Sequence, residues 1–223
     1  MDNYGAFIVE ENFLNKQELN LQIIETLKSS TQMTRTHDEN SNYGNIDWFN
    51  VFLDDKSQIY QKFKSFFRLS DEDFTLAVFY YLEPGAQIHP HKDLSGSSIE
   101  NRLRFHIPII TNKDVKFIVD RKNVYMRPGD LWILDTSYTH SVSNNGNESR
   151  IHAVFEVKIN NNIRKYLPND IKSKIHTINF FFWGLTKFSQ SLLINSWRDP
   201  KYFLAQMRLA FRHIYQFIKS YFQ

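Results

Sequence analysis

Two stretches decide the fold and the chemistry expected of this chain: YYLEPGAQIHPHKD at residues 80–93 and THSVSNNGNESRIHAVFEV at residues 139–157. The first ends with His91 and Asp93, which are two residues apart and so project to the same side of an extended chain. The second contains His140. Two imidazoles and one carboxylate on one face of a metal leave the opposite positions open, the pattern of non-haem Fe(II) oxygenases. The spacing therefore predicts a metal site at these three residues.

These ligands have competitors at the level of sequence. A His-x-Asp pair often arises by chance, and a histidine on an apolar strand is usually a structural core residue. His89 offers another imidazole in the same segment, two residues before His91. Arg150 opens the next apolar run, where it is either a surface arginine or a buried cation that needs an anion. In the second case its guanidinium can bind a carboxylate through two parallel hydrogen bonds.

Length and composition restrict the class of protein. The 223 residues suffice for one domain, or one domain with an appendage, and twenty Phe predict an aromatic-rich core. The absence of Cys excludes a disulfide scaffold, a thiolate metal site and a Cys nucleophile. Neither a signal peptide nor a run of about 18 apolar residues is visible. We therefore expect a cytoplasmic location, with peripheral membrane contact as the alternative.

The elements around the two stretches favour a β architecture preceded by helices. Amphipathic helices are predicted over residues 16–29 and 56–67. On the first of them, the residues expected to face inward are Leu19, Ile23, Ile24 and Leu27. Many short strands with Gly- and Pro-containing turns follow, which is typical of a sandwich or a barrel.

Alternation along two of these strands collects basic side chains on one face. The strand over residues 102–110 has Arg102, Arg104 and His106 on one face. The last strand has Arg150, His152, Val154 and Glu156 on one face. Several cations turned inward would be costly without anions. A pocket for an anionic ligand is therefore the economical interpretation.

Charge is divided unevenly along the chain. Residues 161–223 hold ten Lys or Arg and two Asp, a sum of +8, whereas the first 160 residues sum to −5. This asymmetry predicts one domain over 1–160 and a basic, aromatic, helical extension over 161–223. The extension is interpreted as a helical cap, as an interfacial helix on an anionic membrane, or as a homodimerisation segment. Nucleic-acid binding is not expected, because no recognition motif is visible.

Several segments, in a fixed order, carry a family resemblance. They are Pro84-Gly85 with Pro90-His91, Arg102-Leu103-Arg104-Phe105-His106, MRPGDLWILD at 126–135, His140-Ser141-Val142 with Asn144, and Arg150. The sequence resembles the aspartyl/asparaginyl β-hydroxylase-like family of Fe(II)- and 2-oxoglutarate-dependent oxygenases, which includes bacterial proline 3-hydroxylase-like enzymes. The resemblance implies a mainly β fold with a double-stranded β-helix core (jelly roll, cupin-like) at about residues 75–160. N-terminal helices and the C-terminal helical extension would flank that core.

The resemblance also implies an activity and a set of site residues. The activity would be hydroxylation of an unactivated C–H in an amino acid, a peptidyl residue or a related small molecule, with Fe(II), 2-oxoglutarate as cosubstrate and O2. The catalytic metal ligands would be His91, Asp93 and His140. The cosubstrate would be bound by Arg150, Arg104, His106 and Tyr80. The substrate would be bound by Arg102, Trp132 and His152.

Two further functions remain open at this level. One is a membrane-associated hydroxylase of a lipid or a glycoconjugate, anchored by the extension. The other is a non-catalytic jelly-roll binding module. Within the resemblance, Asp93 favours the proline 3-hydroxylase branch, which keeps this carboxylate, and argues against halogenation, which needs that position for a halide. Asp135 is interpreted either as a support for the ligands or as a simple strand-end cap.

Overall fold

This computed structural model describes residues 5–36, 47–167, 174–195 and single positions between 204 and 219. Its described elements include eleven β-strands and four α-helices. The strands are β1 Ala6–Glu10, β2 Thr34–Arg35, β3 Trp48–Phe52, β4 Phe74–Leu82, β5 Gln87–His91, β6 Arg102–Ile110, β7 Val115–Val119, β8 Lys122–Asn123, β9 Leu131–Leu134, β10 His140–Asn144 and β11 Arg150–Lys158. The helices are α1 Lys16–Ser29, α2 Gln58–Phe67, α3 Asn161–Arg164 and α4 Lys174–Asn195. The chain divides into two compact units, Met1–Leu167 and Pro168–Gln223, and these strands all lie in the first.

The strands form two antiparallel sheets. The seven-stranded sheet has the order β1-β9-β6-β11-β4-β3-β2, and the four-stranded sheet has the order β5-β10-β7-β8. Side chains of both sheets meet in one apolar cluster, in which Leu82 and Leu134 of the large sheet join Ile88, Phe117 and Val142 of the small one. This arrangement confirms the predicted mainly β, jelly-roll core with helices before it. Separate domains over 1–160 and 161–223 stay a prediction.

Helix α2 covers one face of the large sheet and so determines which face is left for a site. Ser57 caps the helix by accepting a hydrogen bond from the Tyr60 amide, and Arg68 ends it in the left-handed conformation. Phe63 stacks on Phe155 of β11, with ring centroids 4.2 Å apart. Because side chains alternate along a strand, the neighbours of Phe155 project to the face opposite α2.

Helix α1 turns a different face inward from the one predicted. Its buried side chains are Gln22 and Thr26, and the Thr26 carbonyl accepts a 2.9 Å hydrogen bond from the buried Tyr81 hydroxyl. Ile24 and Leu27 are 50% and 61% exposed, so the prediction that they face inward is wrong. The Tyr81 hydroxyl on the sheet contacts the polar face of α1. The spacing of apolar residues along the helix does not reveal this contact.

Candidate metal centre and anion pocket

Two neighbouring strands of the small sheet carry the histidines predicted to bind metal. His91 ends β5 and His140 begins β10, and the two face each other in the antiparallel register. Asp93 follows β5, where its amide donates a 2.9 Å hydrogen bond to the Thr136 carbonyl. One ligand atom from each of the three side chains lies within 4.8 Å of the other two. Among the residues that the structure describes, only this group could hold a metal with three or more such side chains.

The hydrogen bonds of the two histidines leave the same ring nitrogen for a metal. The Nδ1 atom of His91 lies 2.7 Å from the His89 carbonyl. The Nδ1 atom of His140 lies 3.0 Å from the Tyr138 carbonyl. A carbonyl only accepts, so each Nδ1 carries the proton and each Nε2 presents a lone pair. Each Nε2 also lies 3.8 Å from a carboxylate oxygen of Asp93.

The protonation state of the centre suits a metal as well. Burial lowers the pKa of His140 to about 4; His91 adds to this lowering, and Asp93 opposes it. The imidazole is therefore neutral near pH 7, as a ligand must be. His89 is exposed and contributes only its carbonyl. Two imidazoles and one carboxylate converge here, a donor set that fits Fe(II).

A pocket adjoins the candidate metal centre and is lined by His91 and His140. The four residues predicted to bind the cosubstrate all line it, namely Tyr80, Arg104, His106 and Arg150. Its apolar wall is made by Ile88, Phe117, Leu134 and Val142. The residues predicted for substrate, Arg102, Trp132 and His152, are not among those lining it. The predicted cosubstrate set is thus brought together around one space, and the predicted substrate set is not.

Arg150 is a buried cation with no carboxylate beside it among the residues that the structure describes. Its side chain is 4% exposed, and its Nη2 donates a 2.8 Å hydrogen bond to Nδ1 of His152. The guanidinium lies over the Phe117 ring, and its Nε has no hydrogen-bond partner. Burial lowers the pKa of Arg150 to about 9, and no ion pair with it is found among the described residues. A buried cation of this kind is expected to take an anionic ligand.

Two further buried histidines, His106 and His152, lie close to this arginine. Because Nδ1 of His152 accepts from Arg150, the 3.4 Å contact between the Nδ1 atoms of His106 and His152 requires His106 to donate. The Nε2 atoms of both rings are buried without a hydrogen-bond partner. Burial, reinforced by the nearby Arg150 cation, lowers the pKa of both rings well below the ordinary value. Both histidines are therefore neutral at pH 7.

We expect the metal-free protein to lose stability steeply as the pH falls below about 6.5. Folding lowers the pKa of His106, His140 and His152, so the unfolded chain binds protons that the folded chain does not. Above about pH 6.5 both states are neutral and this contribution is constant. Below it, each histidine contributes a slope of about 1.4 kcal/mol per pH unit until the folded pKa is reached. Chemical denaturation between about pH 5 and about pH 8 measures the free energy of unfolding.

The variant His152→Gln is the matched control for this titration. An amide oxygen can still accept from Arg150, but the amide does not titrate. The variant should show a slope smaller by about 1.4 kcal/mol per pH unit. A wild-type slope below that of a single proton would contradict the assignment of neutral buried histidines.

Arg104 lies between two carboxylates instead of pointing only at the pocket. Its Nη1 is 3.4 Å from Oδ2 of Asp93, and its Nη2 is 3.3 Å from Oε2 of Glu156. Arg102 lies 3.7 Å from Glu100 and 3.7 Å from Glu156. Arg104 therefore contacts the centre through Asp93, a metal-binding candidate, and Arg102 is engaged by acidic residues outside the pocket lining.

Support for the site comes partly from residues that the sequence left without a role. Glu156 was only one member of an alternating face, and Trp48 lines the pocket beside Tyr80. Asp135 is fully buried, and its Oδ1 accepts hydrogen bonds from the amides of Ser98 and Ser137. It therefore joins the segment after Asp93 to the segment before His140, and its role as a support for the ligands stays a prediction.

Solved structures share this fold at low sequence identity. The epimerase SnoN, solved with Fe3+, alpha ketoglutarate and nogalamycin RO, has a TM-score of 0.52 at 11% identity, over 69% of this chain and 79% of its own. A prolyl-4-hydroxylase from Pseudomonas putida has a TM-score of 0.50 at 13% identity, over 70% and 94%. The viral collagen prolyl hydroxylase from Paramecium Bursaria Chlorella virus-1 has a TM-score of 0.50 at 10% identity, over 70% and 97%. At such identities the likeness establishes the jelly-roll fold alone.

The sequence itself matches one family model. That model, described as aspartyl/asparaginyl beta-hydroxylase, aligns with residues 15–159, which is more than half of the chain. The aligned range contains the three metal-binding candidates and Arg150. No curated protein matches the sequence. The resemblance predicted from the ordered segments is confirmed, and the chain belongs to the aspartyl/asparaginyl beta-hydroxylase family.

Proposed function

We propose that this chain is an Fe(II)- and 2-oxoglutarate-dependent dioxygenase that hydroxylates an unactivated C–H of an amino acid, a peptidyl residue or a related small molecule. One observation carries the proposal. A buried arginine without an anion, Arg150, lines the same pocket as the converging His91 and His140. A metal ion and a dicarboxylate would satisfy both groups of residues at once. Membership of the family supports this assignment.

Each residue then has a stated task. His91, Asp93 and His140 would hold the iron through two Nε2 atoms and one carboxylate. When bound together, iron, 2-oxoglutarate and dioxygen supply the oxidation of a C–H bond, with succinate and carbon dioxide as the other products.

Arg150 would bind the distal carboxylate of the cosubstrate by charge-assisted hydrogen bonds, and His152 would hold the guanidinium in position. Tyr80 and His106 would complete the cosubstrate end of the pocket. Arg104 reaches the centre through Asp93. Ile88, Phe117, Leu134 and Val142 would exclude water, which strengthens these charge interactions.

The substrate class draws on the proteins of similar fold. Two of them carry names that state a prolyl or collagen-prolyl hydroxylase, and a third was solved with nogalamycin RO. Peptidyl and small-molecule substrates are therefore both within the proposal. The three residues predicted for substrate lie outside the pocket lining, so they do not favour one of these substrate classes over the other.

An anaerobic titration with Fe(II) and 2-oxoglutarate tests the proposal. We expect a weak visible charge-transfer band that needs both components and disappears in Asp93→Ala. Release of succinate under oxygen separates the enzyme from a non-catalytic binding module, which would bind without turnover. A folded chain that gives no band under these conditions would overturn the proposal.

The C-terminal residues support a separate proposal of peripheral contact with an anionic membrane. None of the helices in the described part of the chain has the length and apolar character needed to cross a bilayer. The single positions described there nevertheless include exposed apolar side chains next to exposed cations. The apolar ones are Leu204, Phe211, Tyr215 and Ile218, and the cations are Arg208, Arg212 and Lys219. Such a combination suits the surface of an anionic bilayer.

Vesicle cosedimentation measures this contact. We expect the full chain to sediment with vesicles rich in phosphatidylserine at low salt and not with phosphatidylcholine vesicles. Phe211→Glu should weaken the binding, because it places a negative charge on the exposed face. Equal sedimentation with both vesicles would remove the electrostatic argument. A dimer without lipid in analytical ultracentrifugation would favour self-association of the extension instead.

A further inference from the structure

One buried carboxylate near the centre has no task in the proposed function. Glu156, on β11, is 3% exposed and lies directly opposite Arg104 of β6 in the antiparallel register. The guanidinium of Arg104 bridges Oε2 of Glu156 at 3.3 Å and Oδ2 of Asp93 at 3.4 Å. A candidate metal ligand is thus connected to an interior carboxylate through a single arginine.

Glu156 is itself fixed from a second side. Its Oε1 accepts hydrogen bonds of 3.0 Å from the hydroxyls of Ser95 and Thr75. Oε2 is left to Arg104, so the two oxygens of the carboxylate have different partners. A side chain held at both oxygens has little freedom to follow Arg104 if the arginine moves.

The segment after Asp93 packs closely against this ion pair. Gly96 has a φ of +73°, and a Cβ at that position would lie only 2.7 Å from Oε2 of Glu156. Glycine is therefore favoured at this position for two reasons, its backbone conformation and the close approach of the loop to the carboxylate. The Thr136 hydroxyl holds the Ser95 carbonyl at 2.8 Å. The loop, the ion pair and Asp93 thus form one connected assembly.

The charges of this assembly determine how strongly the Arg104 guanidinium is attracted to Asp93. An arginine keeps its charge in proteins, and Nη1 and Nη2 of Arg104 lie 3.4 Å from Oδ2 of Asp93 and 3.3 Å from Oε2 of Glu156. Arg104 is therefore a permanent cation shared between two carboxylates. Without the charge of Glu156, the guanidinium would be attracted to Asp93 alone and would compete more strongly with a metal for that carboxylate.

We infer that Glu156 is a positioning residue for the metal centre. It holds Arg104 so that the guanidinium contacts only Oδ2 of Asp93, which faces His140, and Oδ1 stays 3.8 Å from Nε2 of His91. The site is then preorganised before a metal arrives. This inference rests on the metal site of the proposed function and adds to it a residue that touches neither metal nor cosubstrate.

Anaerobic titration with Co(II) alone tests the inference, because the visible absorption of Co(II) reports both its affinity and its ligand geometry. Glu156→Gln keeps the shape of the side chain and removes its charge. We expect about tenfold weaker Co(II) binding and a shifted absorption spectrum, as for loss of a partner that orients a ligand. Glu100→Gln is the matched control, because that carboxylate is equally buried at 4% side-chain exposure and pairs with Arg102. The control should bind Co(II) as the wild type does.

The outcomes separate this inference from the function on which it rests. A wild-type chain that takes up neither Co(II) nor Fe(II) would overturn the proposed function itself. Wild-type uptake with an unchanged affinity and spectrum in Glu156→Gln would overturn this inference alone, since Glu156 would then be purely structural. If Glu156→Gln does not fold, Glu156→Asp decides. The shorter carboxylate keeps the charge but loses its reach to Arg104, so binding should weaken, and unchanged binding would overturn the inference.

Discussion

Replacing His140 with alanine is expected to weaken Fe(II) binding by more than about 100-fold, beyond the about 10- to 100-fold expected for loss of a residue that only supports a ligand. His140 supplies one of two imidazole nitrogens, and its partner His91 lies opposite it in the register of β5 and β10. With one nitrogen gone, a single imidazole and one carboxylate remain for the metal. Anaerobic equilibrium titration with Fe(II), followed by dialysis and iron analysis, measures the change.

His89 provides the matched control for this experiment. It is a histidine on the same strand as His91, but its side chain is exposed and only its carbonyl contacts that ligand. His89→Ala should therefore bind Fe(II) as tightly as the wild type. If His89→Ala lost iron and His140→Ala kept it, the metal centre would have been assigned to the wrong residues.

Replacing Arg150 with methionine should have opposite effects on binding and on stability. Loss of a buried charge-assisted contact costs about 2–5 kcal/mol, so 2-oxoglutarate should bind at least about 30-fold more weakly. The ligand-free protein should be as stable as the wild type or more stable, because Arg150 is a desolvated cation without an anion. Titration of the iron-loaded protein with 2-oxoglutarate measures the first effect, and thermal unfolding without ligand measures the second.

A ligand-side control makes this prediction sharper. The analogue 2-oxobutyrate lacks the distal carboxylate that Arg150 would bind. Wild type should therefore prefer 2-oxoglutarate strongly over 2-oxobutyrate, whereas Arg150→Met should bind the two with similar affinity. If the variant kept the wild-type preference, the distal carboxylate would have to be bound elsewhere in the pocket.

Much of the fold was predictable because alternation in the strands is a local property. The inward face of β11, with Arg150 and His152, follows from a period of two, and Phe155 on the other face meets α2. The face of α1 was not predictable in the same way. Its burial depends on the Tyr81 hydroxyl, which comes from a strand far away in the sequence.

The metal ligands could be predicted because their residue types are restricted by the chemistry of the metal. The partners of Arg104 could not be predicted from the sequence. Its placement between Asp93 and Glu156 depends on the pairing of β6 with β11, which sets Arg104 opposite Glu156. Trp48 reaches the pocket because β3 pairs with β4 and places it near Tyr80. The hydrophobic pattern restricts the register of a strand pair, but it does not show which distant strands pair with each other.

The position of β5 in its sheet has a consequence for the metal-free state. Among the described residues, this strand has one neighbour, β10, and its other side bears no ladder hydrogen bonds. An edge strand with a single ladder opens at lower free energy than a central one. A metal bound by His91 on β5 and His140 on β10 would connect the two strands through coordination bonds and so suppress that opening. Amide hydrogen exchange in β5 should then become faster when the metal is lost, under conditions where the rest of the jelly roll stays folded.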